Sequence, residues 1–493
     1  MKAVELSKAY DPKSFEDRIY QAWMEMGMFK PVAGQQTPFT VVMPPPNVTG
    51  ILHMGHALNN SLQDILTRYY RMTGRPTLWV PGTDHAGIAT QHVVERQLAK
   101  EGLRRQDLGR DRFLERTWQV KEKHHGIIKQ QLQKIGCSCD WEHERFTMDE
   151  GLSQAVRECF VTLYERGLIY KGEYLVNYCP KCGTALADDE VEYQPVNAFL
   201  YDVRYPFSDG SGFITVATTR PETMFGDVAV AVNPEDERYT HLVGKLLDLP
   251  LTDRKIPIIA DSFVDKVFGT GMVKITPAHD PNDWLCGKRH NLEKVNVLNP
   301  DGTLNENCPY KYRNINANEA RSLVVEDLKA QGFLVKETAH DHDVGHCYRC
   351  STVIEPYLSN QWFVSMKGMA DKALQAWKDE KIVFYPKRWE NTYSHWLENI
   401  HDWCISRQLW WGHRIPVWEC QECHEVIAAR QDPTECPKCH SIRLVQETDV
   451  LDTWFSSWLW PFSTLGWPQK TSDLATYFPT TTLVTAYDII FFW

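Results

Sequence analysis

Hydrophobic spacing divides the chain into stretches of different texture. Val41-Val42-Met43 is a short apolar run of strand type, stopped by Pro44-Pro45-Pro46, which have no N–H to give a ladder. Asn47-Val48-Thr49-Gly50 reads as a turn with Asn47 and Thr49 as N-cap candidates. Leu52, Ala57, Leu58, Leu62, Ile65, Leu66, Tyr69 and Tyr70 then recur at helical spacing, and Gly74 stands where a C-terminal stop belongs. Residues 77–80 read as a second strand. The prediction is strand, turn, helix, strand: one right-handed crossover of a parallel sheet. Upstream, Pro12, Ser14 and Glu16 precede Ile19, Trp23 and Met28, a helical lead-in over residues 1–40. Downstream, a helix is expected over 154–166. From about Glu192 the pattern changes to β-branched runs at 198–203, 212–217, 228–232, 256–260 and 271–275, separated by Gly, Pro and Asp, which predicts a β-rich insertion ending near His340.

Composition adds limits. The chain has 493 residues, room for roughly three domains of ~150 residues. No apolar stretch reaches the ~18 residues a membrane span needs, and the first residues lack a signal-peptide core, so a cytoplasmic protein without membrane contact is expected. A net charge of −11 argues against a surface coated for nucleic acid but leaves room for a local basic groove. The 18 tryptophans are read mainly as core packing.

Fourteen cysteines in a cytoplasmic chain point to metal rather than disulfides. Eight stand in four C-x-x-C pairs, each a knuckle that sets two thiolates on one tetrahedral ion. Cys420 and Cys423 with Cys436 and Cys439 make one compact four-thiolate ribbon. Cys179 and Cys182 with Cys347 and Cys350 flank the insertion and are expected to meet at its base. Both are closed sites, so two structural Zn²⁺ are expected. Cys137, Cys139, Cys159, Cys286, Cys308 and Cys404 are expected to be buried thiols.

The candidate chemistry lies at the start of the helix after residue 50. His53 and His56, three apart, share a face of its first turn. A helix N-terminus offers free N–H groups and partial positive charge to phosphate, and Gly55 leaves space for a flat ligand. In its context, Pro-Pro-Pro-Asn-Val-Thr-Gly-x-Leu-His-Met-Gly-His-Ala-Leu, the pair resembles the HIGH signature of class I aminoacyl-tRNA synthetases, in the wording of their valine branch. The stretch Gly-Thr-Asp-His-Ala-Gly-Ile-Ala-Thr-Gln (82–91) is similar to the same family. The resemblance covers the whole chain. It implies an α/β fold: a Rossmann-type class I synthetase catalytic fold interrupted by zinc knuckles and an inserted β-rich editing domain. The boundaries it implies are a lead-in at 1–40, the first catalytic half at 41–145, a connective segment with a knuckle at 146–191, the editing domain at 192–340, a return segment with knuckle and ribbon at 341–445, and the start of the second catalytic half at 446–493.

The implied reaction joins valine to ATP, giving valyl-adenylate and pyrophosphate, and then passes valine to tRNA(Val). By carry-over, His53, Gly55 and His56 hold ATP, with His53 and His56 catalytic and Asp488 on the ribose. Asn47 and Asp84 receive the α-ammonium. Pro44, Pro45, Trp454, Ile489 and Trp493 wall the amino-acid pocket. Mg²⁺ accompanies ATP, and a monomer is expected. Arg407 and Arg414 are candidate tRNA or phosphate contacts.

Two polar words inside the insertion, at 218–223 and 274–283, could converge on one ester. They resemble the editing domain shared by valyl, isoleucyl and leucyl enzymes, which implies a hydrolytic site of Thr219, Arg220, Thr223, Lys274, Thr276, Asp280 and Asp283. Asp283 is expected to anchor the amino group of the mischarged residue, with Lys274 and Arg220 on the terminal adenosine or its phosphate, in a metal-free hydrolysis of threonyl-tRNA(Val).

Three departures from the family pattern stand out. No Lys-Met-Ser-Lys-Ser word is present, so the chain is expected to be part of a longer one and, alone, inactive in aminoacylation, with valine-dependent ATP–pyrophosphate exchange near zero. Ala486 stands where glycine is expected beside Asp488. Trp458 stands where a small residue is usual and is expected to crowd the amino-acid pocket. The alternatives are an isoleucyl-type enzyme, which Asn47 with Asp84 disfavours, and a non-synthetase chain that only edits or binds tRNA.

Overall fold

Proline ends the first strand as the pattern predicts. In the computed structural model, which describes residues 9–493, Phe39–Val42 runs parallel to Thr77–Val80, with Phe39 opposite Thr77 and Val42 opposite Val80. All eight residues are buried. The helix Met54–Met72 connects them and stops at Gly74, whose φ of 79° places it in the left-handed region.

The helix begins later than expected. Neither Asn47 nor Thr49 caps it; His53 does. The Asp84 amide donates to the Pro46 carbonyl at 2.9 Å and the Val48 amide to the Asp84 carbonyl at 3.1 Å, so residues 46–48 stay extended beside residue 84. The buried face also differs. Leu52, Leu66 and Tyr70 pack inward, but Leu58, Leu62, Ile65 and Tyr69 are exposed, while Asn60, Gln63 and Thr67 are buried. Gln63 accepts from Trp79 Nε1 at 3.1 Å, and Thr67 Oγ1 donates to the Gln63 carbonyl at 2.8 Å.

The chain divides into two units, Met1–Tyr170 with Trp362–Trp493, and Lys171–Gln361. The lead-in of the first unit is a helix over Glu16–Glu25, shorter than expected and ending before Met28; residues 1–8 of that expectation lie outside the described residues. The next helix is Glu150–Glu165, capped by Asp149, whose carboxylate accepts from the Leu152 amide at 2.9 Å. Its apolar face packs on Trp362, Ile405, Ile415 and Phe455. Gly82 begins the short strand Gly82–Thr83, parallel to Arg145–Phe146. A Cβ there would lie 2.4 Å from both the Arg145 carbonyl and the Trp460 ring. Trp460 in turn donates Nε1 to the Met43 carbonyl at 2.9 Å. The last residues return to the first strand: the Thr481 amide donates to the Thr40 carbonyl at 2.9 Å, and Thr482 bridges Val41 in parallel.

The second unit has the predicted β texture. All five expected runs are strands: Val191–Pro206, Phe213–Thr218, Ala229–Val232, Lys255–Ala260 and Met272–Ile275. The first two join Leu334–Cys347 in an antiparallel sheet; the other three join Leu246–Asp248 in a mixed one. Val203, Tyr205, Val216, Phe225, Val230, Ile258 and Leu328 share one core between sheets and helix Ala317–Ala330.

Candidate functional site

The two histidines are fixed by the backbone they cap. His53 Nδ1 accepts from the Gly55 amide at 3.1 Å, and His56 Nδ1 accepts from the His53 amide at 3.3 Å. Each ring is thereby set with its proton on Nε2, pointing away from the helix as a donor. The ring centroids are 4.0 Å apart. Burial, with His53 adding to it, lowers the pKa of His56, which keeps that ring neutral. Gly55 has a second role that sequence reasoning missed: a Cβ there would come within 2.9 Å of His53 Cε1.

Asn47 and Asp84 stand side by side as a parallel bridge, Asn47 exposed and Asp84 buried. Asp84 accepts from the Ala86 amide at 2.7 Å and from Ser457 Oγ at 2.6 Å. Burial raises its pKa to about 6, with those two donors pulling the other way. Trp454 stacks on Phe492 at 4.9 Å and meets Trp493 edge-on at 5.2 Å. Pro45 is buried; Pro44, Ile489 and Trp493 are half-buried, and Asp488 is exposed in the turn Tyr487–Ile489. Two departures lose their force. Ala486 has φ −65° and ψ 151°, ordinary backbone that needs no glycine. Trp458 packs against Trp403, ring centroids 4.5 Å apart and tilted by 39°, beside the core around Phe455. Arg407 also differs from its expectation: it is buried and paired with Asp452, and donates to the Cys404 carbonyl at 3.0 Å. Arg414 donates to the backbone carbonyls of Glu447 and Gln446 at 2.7 and 3.0 Å.

In the second unit, the two polar words do meet, around a residue that sequence reasoning passed over. Asp227 is buried. It accepts from Lys274 Nζ at 3.1 Å, Thr276 Oγ1 at 2.7 Å and Tyr205 Oη at 2.7 Å. Lys274 also donates to Thr223 Oγ1 at 3.2 Å and to Thr276 Oγ1. Burial raises the pKa of Asp227, and the Lys274 charge opposes it. Asp283 is buried beside this cluster and accepts from the Thr276 amide at 2.8 Å. Burial first, then the like charge of Asp280, pushes Asp283 up to about 8. Asp280 caps the helix Pro281–His290 through the amides of Asn282 and Asp283 at 2.8 and 3.1 Å. Thr219 lies between the strand Phe213–Thr218 and Arg220. Arg220 does not join the Lys274 cluster: it pairs with Glu355 and, at 3.1 Å, with Glu222. Glu222 is fully buried and takes both arms of Arg321 at 2.8 Å. Burial works to raise Glu222, yet the two arginines hold it below its ordinary range. No motif in the sequence marks Asp227 or Glu355, whose partners Tyr205, Lys274 and Arg220 lie far off in the chain; Glu222 stands inside the first polar word, but its partner Arg321 comes from the helix Ala317–Ala330.

The eight paired cysteines gather into two groups of four, Cys179/Cys182/Cys347/Cys350 and Cys420/Cys423/Cys436/Cys439, the ligand atoms of each within 4.8 Å of one another. Sulfurs 3.4 and 3.6 Å apart in the first group, and 3.5 and 3.7 Å in the second, are far beyond a disulfide. They approach the ~3.8 Å edge of a tetrahedron built on ~2.3 Å zinc–sulfur bonds. All four knuckles close with one turn. The residue after the second cysteine (Gly183, Ser351, His424, His440) has φ between 56° and 66°, and its amide donates to the carbonyl of the first cysteine at 2.8–3.0 Å. The donor sets and spacing fit zinc, and neither group leaves a protein ligand position open.

A parallel crossover that presents two histidines at a helix N-terminus, in a unit whose two chain segments flank a β-rich one in sequence, defines a class. A family profile described as tRNA synthetases class I (I, L, M and V) matches residues 18–493, and the chain belongs to that family. It is 61% identical to a valine–tRNA ligase of Treponema denticola over 100% of this chain and 56% of that one. It is 58% identical to one of Desulfotalea psychrophila over 99% of this chain and 55% of that one. The chain thus spans about half the length of the curated relatives it matches. Among solved structures, a ternary complex of Agrobacterium radiobacter K84 LeuRS with tRNA and LeuAMS aligns at a TM-score of 0.47 and 18% identity, over 94% of this chain and 61% of that one.

Proposed function

We propose that this chain carries the amino-acid activating and editing chemistry of a valine–tRNA ligase. The observation that carries the reading is the 61% identity to such a ligase along the whole of this chain. Valine and ATP are the substrates of the first step. The valine carboxylate attacks the α-phosphorus, pyrophosphate leaves, and the protein contributes chiefly position and charge stabilisation. The Nε2–H donors of His53 and His56, with the free amides of their helix turn, face the developing negative charge. Asp84, oriented by Ser457 and the Ala86 amide, receives the valine ammonium with Asn47; arrival of that cation favours its ionised form. Pro44, Pro45, Trp454, Ile489 and Trp493 wall the side-chain pocket, and Asp488 meets the ribose. Mg²⁺ enters on the ATP phosphates. Valine then passes to tRNA(Val), and the protein works as a cytoplasmic monomer.

Threonine is nearly isosteric with valine, and an apolar pocket rejects such a hydroxyl isostere poorly, a difficulty for which valine enzymes are themselves the standard example. The Lys274 cluster and Asp283 supply the second site, which hydrolyses threonyl-tRNA(Val): Asp283 holds the ammonium, while Thr223, Thr276 and Lys274, ordered by Asp227, orient the ester and water. The two four-cysteine groups hold structural Zn²⁺ and brace the chain on either side of the insertion and at the ribbon. The activating half is tested by calorimetry with non-hydrolysable adenylate analogues. The valyl analogue is expected to bind at least about 10-fold more tightly than the isoleucyl one, a methylene's discrimination; the reverse order would move the assignment to an isoleucyl enzyme.

A further inference from the structure

A third donor cluster lies in the second unit, apart from the cysteine groups. Among the described residues it is the one other group of three or more His, Cys, Asp or Glu side chains whose ligand atoms lie within 4.8 Å of one another: Asp261, Cys286 and His290. Cys286 and His290 are four apart on the helix Pro281–His290, so one face presents both. Asp261 follows the strand Lys255–Ala260 and is held from below, its Oδ1 accepting from the Phe263 amide at 3.1 Å. Cys286 and Asp261 are buried; His290 is at the surface, so the cluster has an entry. Asp261 Oδ2 already gathers polar partners: Arg289 Nε donates to it at 2.9 Å, and His290 Nε2 stands 2.9 Å from it. The O···N separation of 2.9 Å is close to the ~3.3 Å between two ligands of a tetrahedral zinc ion.

We propose that Asp261, Cys286 and His290 form a third metal site, one that takes Zn²⁺ or a similar borderline cation with three protein ligands and one open position. One thiolate, one imidazole and one carboxylate are a donor set that suits zinc and disfavours Mg²⁺ and Ca²⁺. On binding, the Cys286 S–H proton leaves to solvent and a metal–sulfur bond forms. Arg289, which is half-exposed, gives up Oδ2 to the ion and remains against Phe263, whose ring it overlies at 5.8 Å. The site differs in kind from the four-thiolate groups, which are closed. It sits on the helix whose first turn carries Asp283, so the ion would tie the far end of that helix to the strand before Asp261.

The test uses the full chain with both four-cysteine groups loaded with Zn²⁺, titrated with Co²⁺ and followed by absorption. One further equivalent is expected, with visible bands of low-coordinate Co²⁺ and a single-thiolate charge-transfer band. Cys286→Ser should lose that sulfur band. Asp261→Asn and His290→Gln should each weaken uptake by at least about 10-fold, the loss that even outer-sphere partners cause. His290 is at the surface, so that variant keeps the test sound should Cys286→Ser fold poorly. The absence of a further equivalent at micromolar Co²⁺, or equal uptake by wild type and His290→Gln, would overturn the proposal.

Discussion

At the scale of the residue, small geometric constraints set the chemistry. Gly55→Ala puts a methyl group against the His53 ring while adding a better helix former. The variant is expected to gain about 0.5–1 kcal/mol of stability. It should also lose adenylate-analogue affinity by about 3- to 10-fold, the cost of an off-rotamer His53. A thermal melt beside calorimetry reads both. Asp283 gives a pH signature. Its ordinary value is 3.8 and the fold holds it at about 8, so ionising it costs more in the folded chain than in the unfolded one. Its destabilising effect therefore grows as pH rises from about 4 to about 8 and is absent at lower pH. The melting temperature of Asp283→Asn should rise relative to wild type between pH 5 and pH 8. Asp283→Ala should deacylate threonyl-tRNA(Val) about 10- to 100-fold more slowly, the worth of a charge-assisted hydrogen bond; full activity would end the anchoring role.

The histidine pair and the Lys274–Asp283 word were legible as local motifs; the Asn47–Asp84 pairing came only through the family resemblance, and the structure sets the two residues in a parallel bridge. Asp227 was not legible: a lone buried carboxylate reads as any polar position until the strands that supply its lysine and tyrosine are in place. Glu222 stood in the first polar word, but its pairing with Arg321, 99 residues on, could not be read from it. Arg407 was misread for the same reason, its partner Asp452 lying 45 residues away.

At the scale of the element, local patterning fixed type better than ends or faces. Five β-runs became strands because β-branched residues between turn formers have few other options. The histidine helix started late because the bridge between residues 46–48 and residue 84 outweighs the capping preference of Asn47 and Thr49. Its buried side is polar because Gln63 accepts from Trp79, Thr67 donates to the Gln63 carbonyl and Asn60 donates to the His56 carbonyl, which hydrophobic spacing cannot show. The close approach at Gly82 was equally invisible. Gly82→Ala forces the Trp460 ring and the Arg145 backbone apart and should cost about 1–3 kcal/mol in chemical denaturation. In the ribbon, Val417–Cys420 pairs with Val426–Ala428 and Leu444–Gln446. Cys436→Ser should release one Zn²⁺ and remove amide-exchange protection from these strands, while Ala229–Val232 of the second unit stays protected.

At the scale of the whole molecule, the chain has two units, each with its own core. No helix among the described residues is long and apolar enough to cross a membrane. The four C-x-x-C pairs let the sequence suggest that residues near 180 and 350 meet, since a lone knuckle offers half a zinc site; the structure brings these four cysteines together. The central claim is that the inserted unit removes threonine from tRNA(Val). It is tested by mixing the chain in excess with threonyl-tRNA(Val), valyl-tRNA(Val) and valyl-tRNA(Ile) and following release of each amino acid. Fast loss of threonine, with both valyl esters spared, is the predicted result. Preferential loss of valine from tRNA(Ile), or no hydrolysis of any of the three, would contradict it.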